Sequence, residues 1–402
     1  MRILLVHESY QQKGGEDVVV SAERRLMESH GHEVVFFGRS NHDLSNRSIF
    51  STVRAGVETV WASSVCRELK AVISKAAPAV AHFHNTFPLI SPSAYYACAE
   101  LGIPVIQTLH NYRLICPAAT FLRDGKTCEE CLGRRMALPA IGHGCYRGSR
   151  VATAAVAAML CVHRAMGTWQ EKVDLYVALS QSARQRFVDG GIPAERIAVK
   201  PNFVDPDPGP KEAVGEYALF AGRLASEKGL DLLIAAWDRL GEKIPLRIAG
   251  DGPLKESIAE QLTQKSIHGI EMLGAVEPCE VVKLLRKARF LVVSSIWYEC
   301  FPMIIAEAFA CGVPVIAPRL GALAEIVTDG KLGLHFSPFS AEDLADKVRW
   351  AWTHSAEMLE MGRHARAEYE AKYTADRNYE IFVEVWSRLG IIPGFVEGKT
   401  WN

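Results

Sequence analysis

Short apolar, β-branched runs recur along the chain, each followed by a longer stretch whose apolar positions return every three or four residues. The first pattern is that of a buried parallel strand and the second that of an amphipathic helix. Arg2–Val6 reads as a strand, Glu16–His30 as a helix stopped at Gly31, and Glu33–Phe37 as the next strand. Further strands are expected at Ala79–Phe83, Val105–Leu109, Leu175–Leu179 and Ile197–Lys200. Helices fall between them at Ser63–Ala76, Ser91–Leu101, Val151–Gln170 and Ser180–Gly190, the last with Ser180 and Ser182 as N-cap candidates. The opening β-loop-α-β order is a Rossmann-like half-unit, but it has no GxGxxG, so a nicotinamide dinucleotide is not suggested.

Pro201–Gly215, rich in proline and without an apolar period, reads as a linker. A second series follows, with strands at Tyr217–Ala221, Leu246–Ala249, Ile270–Leu273, Phe290–Val293, Val313–Ile316 and Leu334–Phe336, and a last helix at Ser340–Trp352. Ala375–Leu389 is a further amphipathic helix. The expected organisation is α/β, with Rossmann-like domains at 1–200 and 216–374, a hinge at 201–215 and a cleft between the domains.

The chemistry concentrates in Ser294–Gly312, SSIWYECFPMIIAEAFACG. A strand leads into it, and a helix is expected to start at Pro302, whose fixed φ suits a first helical position. Gly312 supplies a C-terminal stop. The free N–H groups of Met303 and Ile304 then face outward at the positive end of the helix, which favours a phosphate. Glu299 precedes the helix, and Glu307 lies about 7 Å along its axis at roughly 1.5 Å per residue. Carboxylates at both ends and amides in the middle match a nucleotide-sugar: hexose hydroxyls, diphosphate, ribose hydroxyls. The plainer reading of two glutamates near a helix start is dipole complementation.

FAGRLASEKGLDLLIAAW places Arg223 and Lys228 after the first strand of the second domain, with Gly229 at a helix start. Two cations and a helix N-terminus converging on one point make a diphosphate site, although two solvated loop cations are the alternative. Gly250-Asp251-Gly252-Pro253 is a tight turn before another helix, and Gly14-Gly15 lets backbone approach a ligand. His110 ends a strand, where open α/β sheets bind ligands, although a lone histidine often only makes structural hydrogen bonds.

Together these stretches resemble the retaining glycosyltransferases of the GT-B fold, family 4 (glycosyl transferases group 1). The resemblance rests on Glu299 and Glu307 in Glu-x7-Glu spacing, Phe301 and Pro302, the EAFACGVPVIAP run, the GR-x4-KG spacing and the GDGP turn. It covers nearly the whole chain and departs at Cys300, where the family often has glycine. It implies that Glu299 contacts the donor sugar and Glu307 the ribose, with Phe301, Pro302, Met303 and Ile304 around the donor. Arg223 and Lys228 would hold the diphosphate in place of a metal. Gly14 and Gly15 would face the diphosphate and the acceptor, and the loop Gly274–Glu277, with Glu277, the base. His110 would meet the sugar, Asn111 and Arg113 would line the acceptor side, and the tail helix would pack back on the first domain, although from the sequence alone it equally ends the second. His82 and His84, in VAHFHNTFP, either border the cleft or cap a strand. The implied reaction moves a hexose, with retention, from a nucleoside-diphosphate sugar to a glycan or lipid-linked hydroxyl in cell-surface polysaccharide synthesis, no cofactor being required. A sugar-nucleotide epimerase and a non-catalytic nucleotide-sugar binder are the alternatives.

With 402 residues, 49% of them apolar, and a formal net charge of −1, the chain is expected to be globular, without a nucleic-acid partner. MRILLVHE reads as a strand and not as a signal peptide, and Val151–Val162 is too short to span a bilayer. A cytoplasmic location is therefore expected, with contact to the membrane's inner face through the basic and apolar segment Arg123–Arg164 as the sharper reading and a core helix with solvated flanks as the plainer, preferred one. The ten cysteines are read as thiols. Cys116, Cys128, Cys131 and Cys145, with one C-x2-C pair, fit a structural zinc site, free loop thiols or a redox pair.

Overall fold

Residues 1–9, 14–40 and 56–392 are described by the computed structural model. Tyr10–Lys13 of the first loop and the end of the expected tail, 393–402, lie outside the described residues. The chain divides into two compact units: Met1–Thr120, Glu129–Pro201 and the segment from Asn378 form the first, Phe121–Cys128 and Asn202–Arg377 the second.

In the first unit, β1 (Arg2–Ser9), β2 (Glu33–Ser40), β3 (Val80–Phe83), β4 (Val105–Leu109), β5 (Leu175–Ala178) and β6 (Ile197–Val199) form one sheet in the order β2-β1-β3-β4-β5-β6. All pairings are parallel. Ile3, Leu4, Leu5 and Val6 are fully buried, as both faces of a parallel sheet require. Helix α1 (Gly15–Ser29) buries Val19, Val20, Leu26 and Met27, and one charged side chain, Glu23.

The helix expected over Val151–Gln170 is broken. Helix α2 runs Arg150–Ala165, then Gly167 turns left-handed at φ 68°, and a separate turn, Thr168–Glu171, buries Trp169. Glycine adopts that φ without steric cost, and a helix cannot continue through it.

In the second unit, β7 (Tyr217–Ala221), β8 (Leu246–Ala249), β9 (Ile270–Gly274), β10 (Ala288–Val292), β11 (Val315–Pro318) and β12 (Gly333–Phe336) pair in the order β9-β8-β7-β10-β11-β12, again all parallel. Helix α3 (Leu230–Leu240) covers this sheet with Leu233, Ile234 and Trp237, and the indole N–H of Trp237 donates to Ile244 O at 2.9 Å. Each fully buried Leu or Ile contributes about 1.5–3 kcal/mol. Helix α4 (Met303–Ala310) follows β10 and stops at Gly312, φ 66°.

Two elements of this unit escaped the sequence pattern. Helix α5 (Ser355–Lys372) buries Met358, Met361, Ala365 and Tyr369 behind a run of small and charged residues. Its Gly362 lies against the stop of α4: a Cβ there would sit 2.5 Å from Gly312 O. A two-stranded hairpin pairs Leu122–Arg123 with Lys126–Thr127 across Asp124-Gly125, both at positive φ. Helix α6 (Ala375–Ser387) ends the described regular structure, and in the first unit it buries Asn378, Phe382, Val385 and Trp386.

Among the described residues no helix is long and apolar enough to cross a membrane.

Candidate active site

The second unit collects the glutamate pair and the lysine around the loop between β10 and α4. Pro302 is extended at φ −76°, ψ 115°, so it caps α4 and the helix begins one residue later, at Met303. The first-turn N–H groups of Met303 and Ile304 consequently have no intrahelical acceptor. Lys228 Nζ donates to Glu299 Oε1 at 2.6 Å, and Ser295 Oγ donates to the same oxygen at 2.8 Å.

The two loops are fastened along their backbones. Ser294 Oγ donates to Lys228 O at 2.8 Å and Ile296 N to Glu227 O at 3.0 Å. Gly229 permits this approach: its φ is 64°, and a Cβ on it would lie 2.1 Å from Ser294 O.

Arg223 is exposed and has no side-chain partner among the described residues. Its loop is held by the GDGP turn, with Leu224 N donating to Asp251 O at 2.9 Å and Leu254 N to Leu224 O at 3.0 Å. Asp251 accepts from Gly252 N at 2.7 Å, a turn-closing role. Glu307 has no side-chain partner among the described residues, and burial pushes its carboxyl up to about 7. Phe301 is buried against Tyr373 at 5.5 Å between ring centroids, so its ring fixes the loop from behind. Glu277 is exposed and caps the helix Pro278–Lys287 with its carbonyl. Phe121, from the hairpin, meets Tyr298 edge-on beside Glu299.

The first unit has its own cavity at the ends of β3 and β4, lined among others by His84, Phe87, Tyr95, His110, Asn111 and Arg113. The Arg113 guanidinium lies 4.5 Å from the Phe87 ring and 5.0 Å from the Tyr146 ring, so cation–π contact fixes it. Asn111 donates to Glu16 Oε1 at 2.9 Å, and burial raises the Glu16 carboxyl. Gly14 N donates to Asp17 Oδ2 at 2.8 Å, while Asp17 Oδ1 meets His7 Nε2 at 3.0 Å. Neither glycine of the pair is demanded by the fold: Gly14 has φ −115°, and a Cβ on Gly15 would meet nothing within 4 Å.

Behind that cavity lies a buried network that no sequence motif announced. Lys200 Nζ donates to Glu23 Oε1 at 2.7 Å and to Asn378 Oδ1 at 2.9 Å. Glu23 Oε2 lies 3.4 Å from His84 Nε2, and His84 Nδ1 shares a 2.8 Å hydrogen bond with His110 Nε2. His82, stacked on His84 at 4.4 Å, bonds Thr108 Oγ1 at 2.7 Å. Burial holds the imidazoles of His82 and His110 down to about 3 and that of His84 well below its ordinary range. Buried lysine, glutamate and histidine are the only local signal, and their partners are far apart in sequence.

All ten cysteines are thiols. Among the described residues, only Glu23, His82 and His84 form a group of three or more His, Cys, Asp or Glu with ligand atoms mutually within 4.8 Å. Cys116, Cys131 and Cys145, all in the first unit, are not gathered in this way: Cys116 is buried and the other two are half-exposed on separate turns.

Two parallel six-stranded sheets, one carrying the Lys228–Glu299 pair, define a two-domain GT-B architecture. A solved structure of Anabaena Alr3699/HepE in complex with UDP and glucose shares it, with a TM-score of 0.69 and 16% identity over 96% of this chain and 100% of that one. Sucrose-phosphate synthase from Thermosynechococcus elongatus does so too, with a TM-score of 0.70 and 15% identity over 97% and 99%. Two sequence families match side by side, Glycosyltransferase Family 4 over residues 13–208 and Glycosyl transferases group 1 over 206–368. The chain belongs to the family 4 glycosyltransferases. It is 30% identical over 168 residues to the D-rhamnosyltransferase WbpZ of Pseudomonas aeruginosa, covering 41% of this chain and 44% of that one. It is 38% identical over 132 residues to an uncharacterized glycosyltransferase of Methanocaldococcus jannaschii, covering 33% and 37%. The matches thus span less than half the length of these curated relatives.

Proposed function

We propose that the protein transfers a hexose from a nucleoside-diphosphate sugar to a hydroxyl of a glycan or lipid-linked acceptor, with retention, in cell-surface polysaccharide assembly. The observation that carries this reading is the arrangement around α4: the Lys228–Glu299 pair before the helix, first-turn amides, and a half-buried Glu307 on its second turn with no side-chain partner among the described residues. Glu299 orients the sugar, the amides of Met303 and Ile304 take a phosphate, and Glu307 accepts from the ribose hydroxyls. The UDP and glucose held by Alr3699/HepE and the rhamnosyl transfer in the name of WbpZ support a nucleotide-sugar donor and the transfer of its sugar.

In the step itself, the bond from the anomeric carbon to the diphosphate oxygen breaks. The acceptor oxygen bonds to that carbon on the same face, and its proton passes to the departing phosphate. Lys228 and Arg223 stabilise charge that grows on the diphosphate, an interaction stronger in the transition state than in the ground state. His110 contributes a hydrogen bond to the sugar. Asn111 and Arg113 hold the acceptor, and the open backbone at Gly14 and Gly15 leaves room for a bound group.

A thermal-shift screen of nucleoside-diphosphate sugars, followed by product analysis with and without glycan acceptors, tests the proposal. Glycoside formed only with acceptor supports it. Donor isomerised without acceptor would mark an epimerase, and stabilisation without any product a binding protein.

A peripheral membrane contact for the same chain is supported by the exposed Met136, Leu138, Val151 and Met166, which accompany the exposed Arg134, Arg135, Arg147 and Arg150.

A further inference from the structure

We propose that Glu23, paired with Lys200, sets the tautomer of His84 and through it that of His110, so that His110 offers the bare lone pair of Nδ1 to a substrate hydroxyl. The inference deepens the reading above, on which the substrate side of it rests. Glu23 and Lys200 are positioning residues here; neither touches the cavity that His110 lines.

Lone pairs and protons along the network decide the tautomer. Lys200 can only donate, so Glu23 Oε1, 2.7 Å away, must accept, and the carboxylate is favoured as the partner of an ammonium. Both side chains are fully buried, where an unpaired charge would be costly. The other carboxylate oxygen faces His84 Nε2 at 3.4 Å. That distance is long for a hydrogen bond, and neither atom has another partner among the described residues. Charge and dipole still decide the proton: an N–H aimed at the carboxylate is attracted, whereas a ring lone pair aimed at it is repelled, more strongly in a dry interior.

His84 therefore carries its proton on Nε2 and leaves Nδ1 bare. A 2.8 Å bond between His84 Nδ1 and His110 Nε2 requires one proton, which then comes from His110. With Nε2 protonated and the ring neutral, His110 Nδ1 is an acceptor only. It has no protein partner among the described residues, and the ring is partly exposed. His110 thus selects for a hydroxyl that donates.

The cluster is not a cation site. A dication between Glu23, His82 and His84 would sit beside the Lys200 ammonium, which already compensates the one carboxylate present.

The test is a two-bond ¹⁵N–¹H correlation spectrum of the full chain labelled with [¹⁵N]histidine, recorded without ligand at pH 7.5. His110 is assigned by its loss in His110→Gln. The expected result is His110 with Nε2 protonated and Nδ1 bare. The reverse tautomer, or an imidazolium, overturns the proposal. Glu23→Gln sharpens the test, because the amide oxygen must turn to Lys200 and the NH2 to His84. His84 Nε2 must then accept, and the whole chain of protons reverses, ending with His110 protonated on Nδ1. Turnover should fall roughly 10–100-fold, the range found when a residue that orients a metal-ligating imidazole is removed. A variant that folds and keeps the wild-type tautomer also overturns the proposal. If Glu23→Gln does not fold, the wild-type spectrum decides alone. The spectrum needs no substrate, so it stands even if glycosyl transfer proves the wrong reading.

Discussion

Lys228 and Glu299 lie 71 residues apart in sequence, yet the ammonium donates to the carboxylate at 2.6 Å within one unit. A diphosphate arriving at Lys228 must share the ammonium with Glu299. Glu299→Gln should therefore release the cation, so that a free nucleoside diphosphate binds at least as tightly as to the wild type. Turnover should nevertheless fall by about 10²–10³-fold, the usual cost of losing a hydrogen bond that matters in the transition state. Lys228→Ala should lower both. Calorimetric titration with nucleoside diphosphates beside single-turnover kinetics separates these outcomes, and a Lys228→Ala enzyme transferring sugar at the wild-type rate would remove the proposed site.

Glu307 should make donor affinity depend on pH. Burial raises its carboxyl to about 7, and only the ionised form offers both oxygens to a pair of ribose hydroxyls. Donor binding should strengthen as pH rises through 7 and level off above it. Below 7 it should weaken by up to about tenfold per pH unit. Glu307→Gln should bind weakly at every pH, with a flat profile in titrations from pH 6 to 8.

His82 should tie the stability of the first unit to pH. Its folded value, about 3, lies below the ordinary 6.5 because burial disfavours the charged ring. At pH above 6.5 both folded and unfolded forms are neutral, and its contribution is whole. As pH falls from 6.5 towards 3, only the unfolded chain takes up the proton, so stability is lost at about 1.4 kcal/mol per pH unit from this one residue. Urea melts at pH 7 and pH 5 should show a smaller loss for His82→Gln than for the wild type.

The exposed apolar and basic segment should bind anionic bilayers. Val151 is 81% exposed and Leu138 58%. A basic side chain near such a surface is worth about 1 kcal/mol, so Arg134→Gln with Arg135→Gln should weaken binding to phosphatidylserine-containing vesicles about 30-fold at low salt. Vesicle cosedimentation that shows no binding by the wild type at low salt would dismiss the membrane contact.

How much of this was legible from the residues depends on the range over which each feature is encoded. The strands Val105–Leu109, Tyr217–Ala221 and Leu246–Ala249 and the helix Ser63–Ala76 have the bounds their apolar patterns predict, because burial on both faces leaves little choice. The Glu299 loop was legible as well, its proline and glycine lying close to the carboxylates they place. Helix α5 was not: it packs through Gly362, Ala365 and two methionines, and small residues leave little apolar period to detect. The Glu23, His84, His110, Lys200 and Asn378 network was invisible for another reason. Its members come from five separate places in the chain, and only the sheet topology assembles them.

Lys200 has a consequence for biosynthesis. Its buried ammonium is bonded to Asn378 and lies 4.4 Å from the Phe382 ring, side chains made nearly two hundred residues later. An emerging chain that has reached the end of β6 therefore has this charge without its last two neighbours. The amino-terminal sheet can pair early, but it cannot close over Lys200 until the ribosome has delivered α6, after the whole intervening unit has been synthesised.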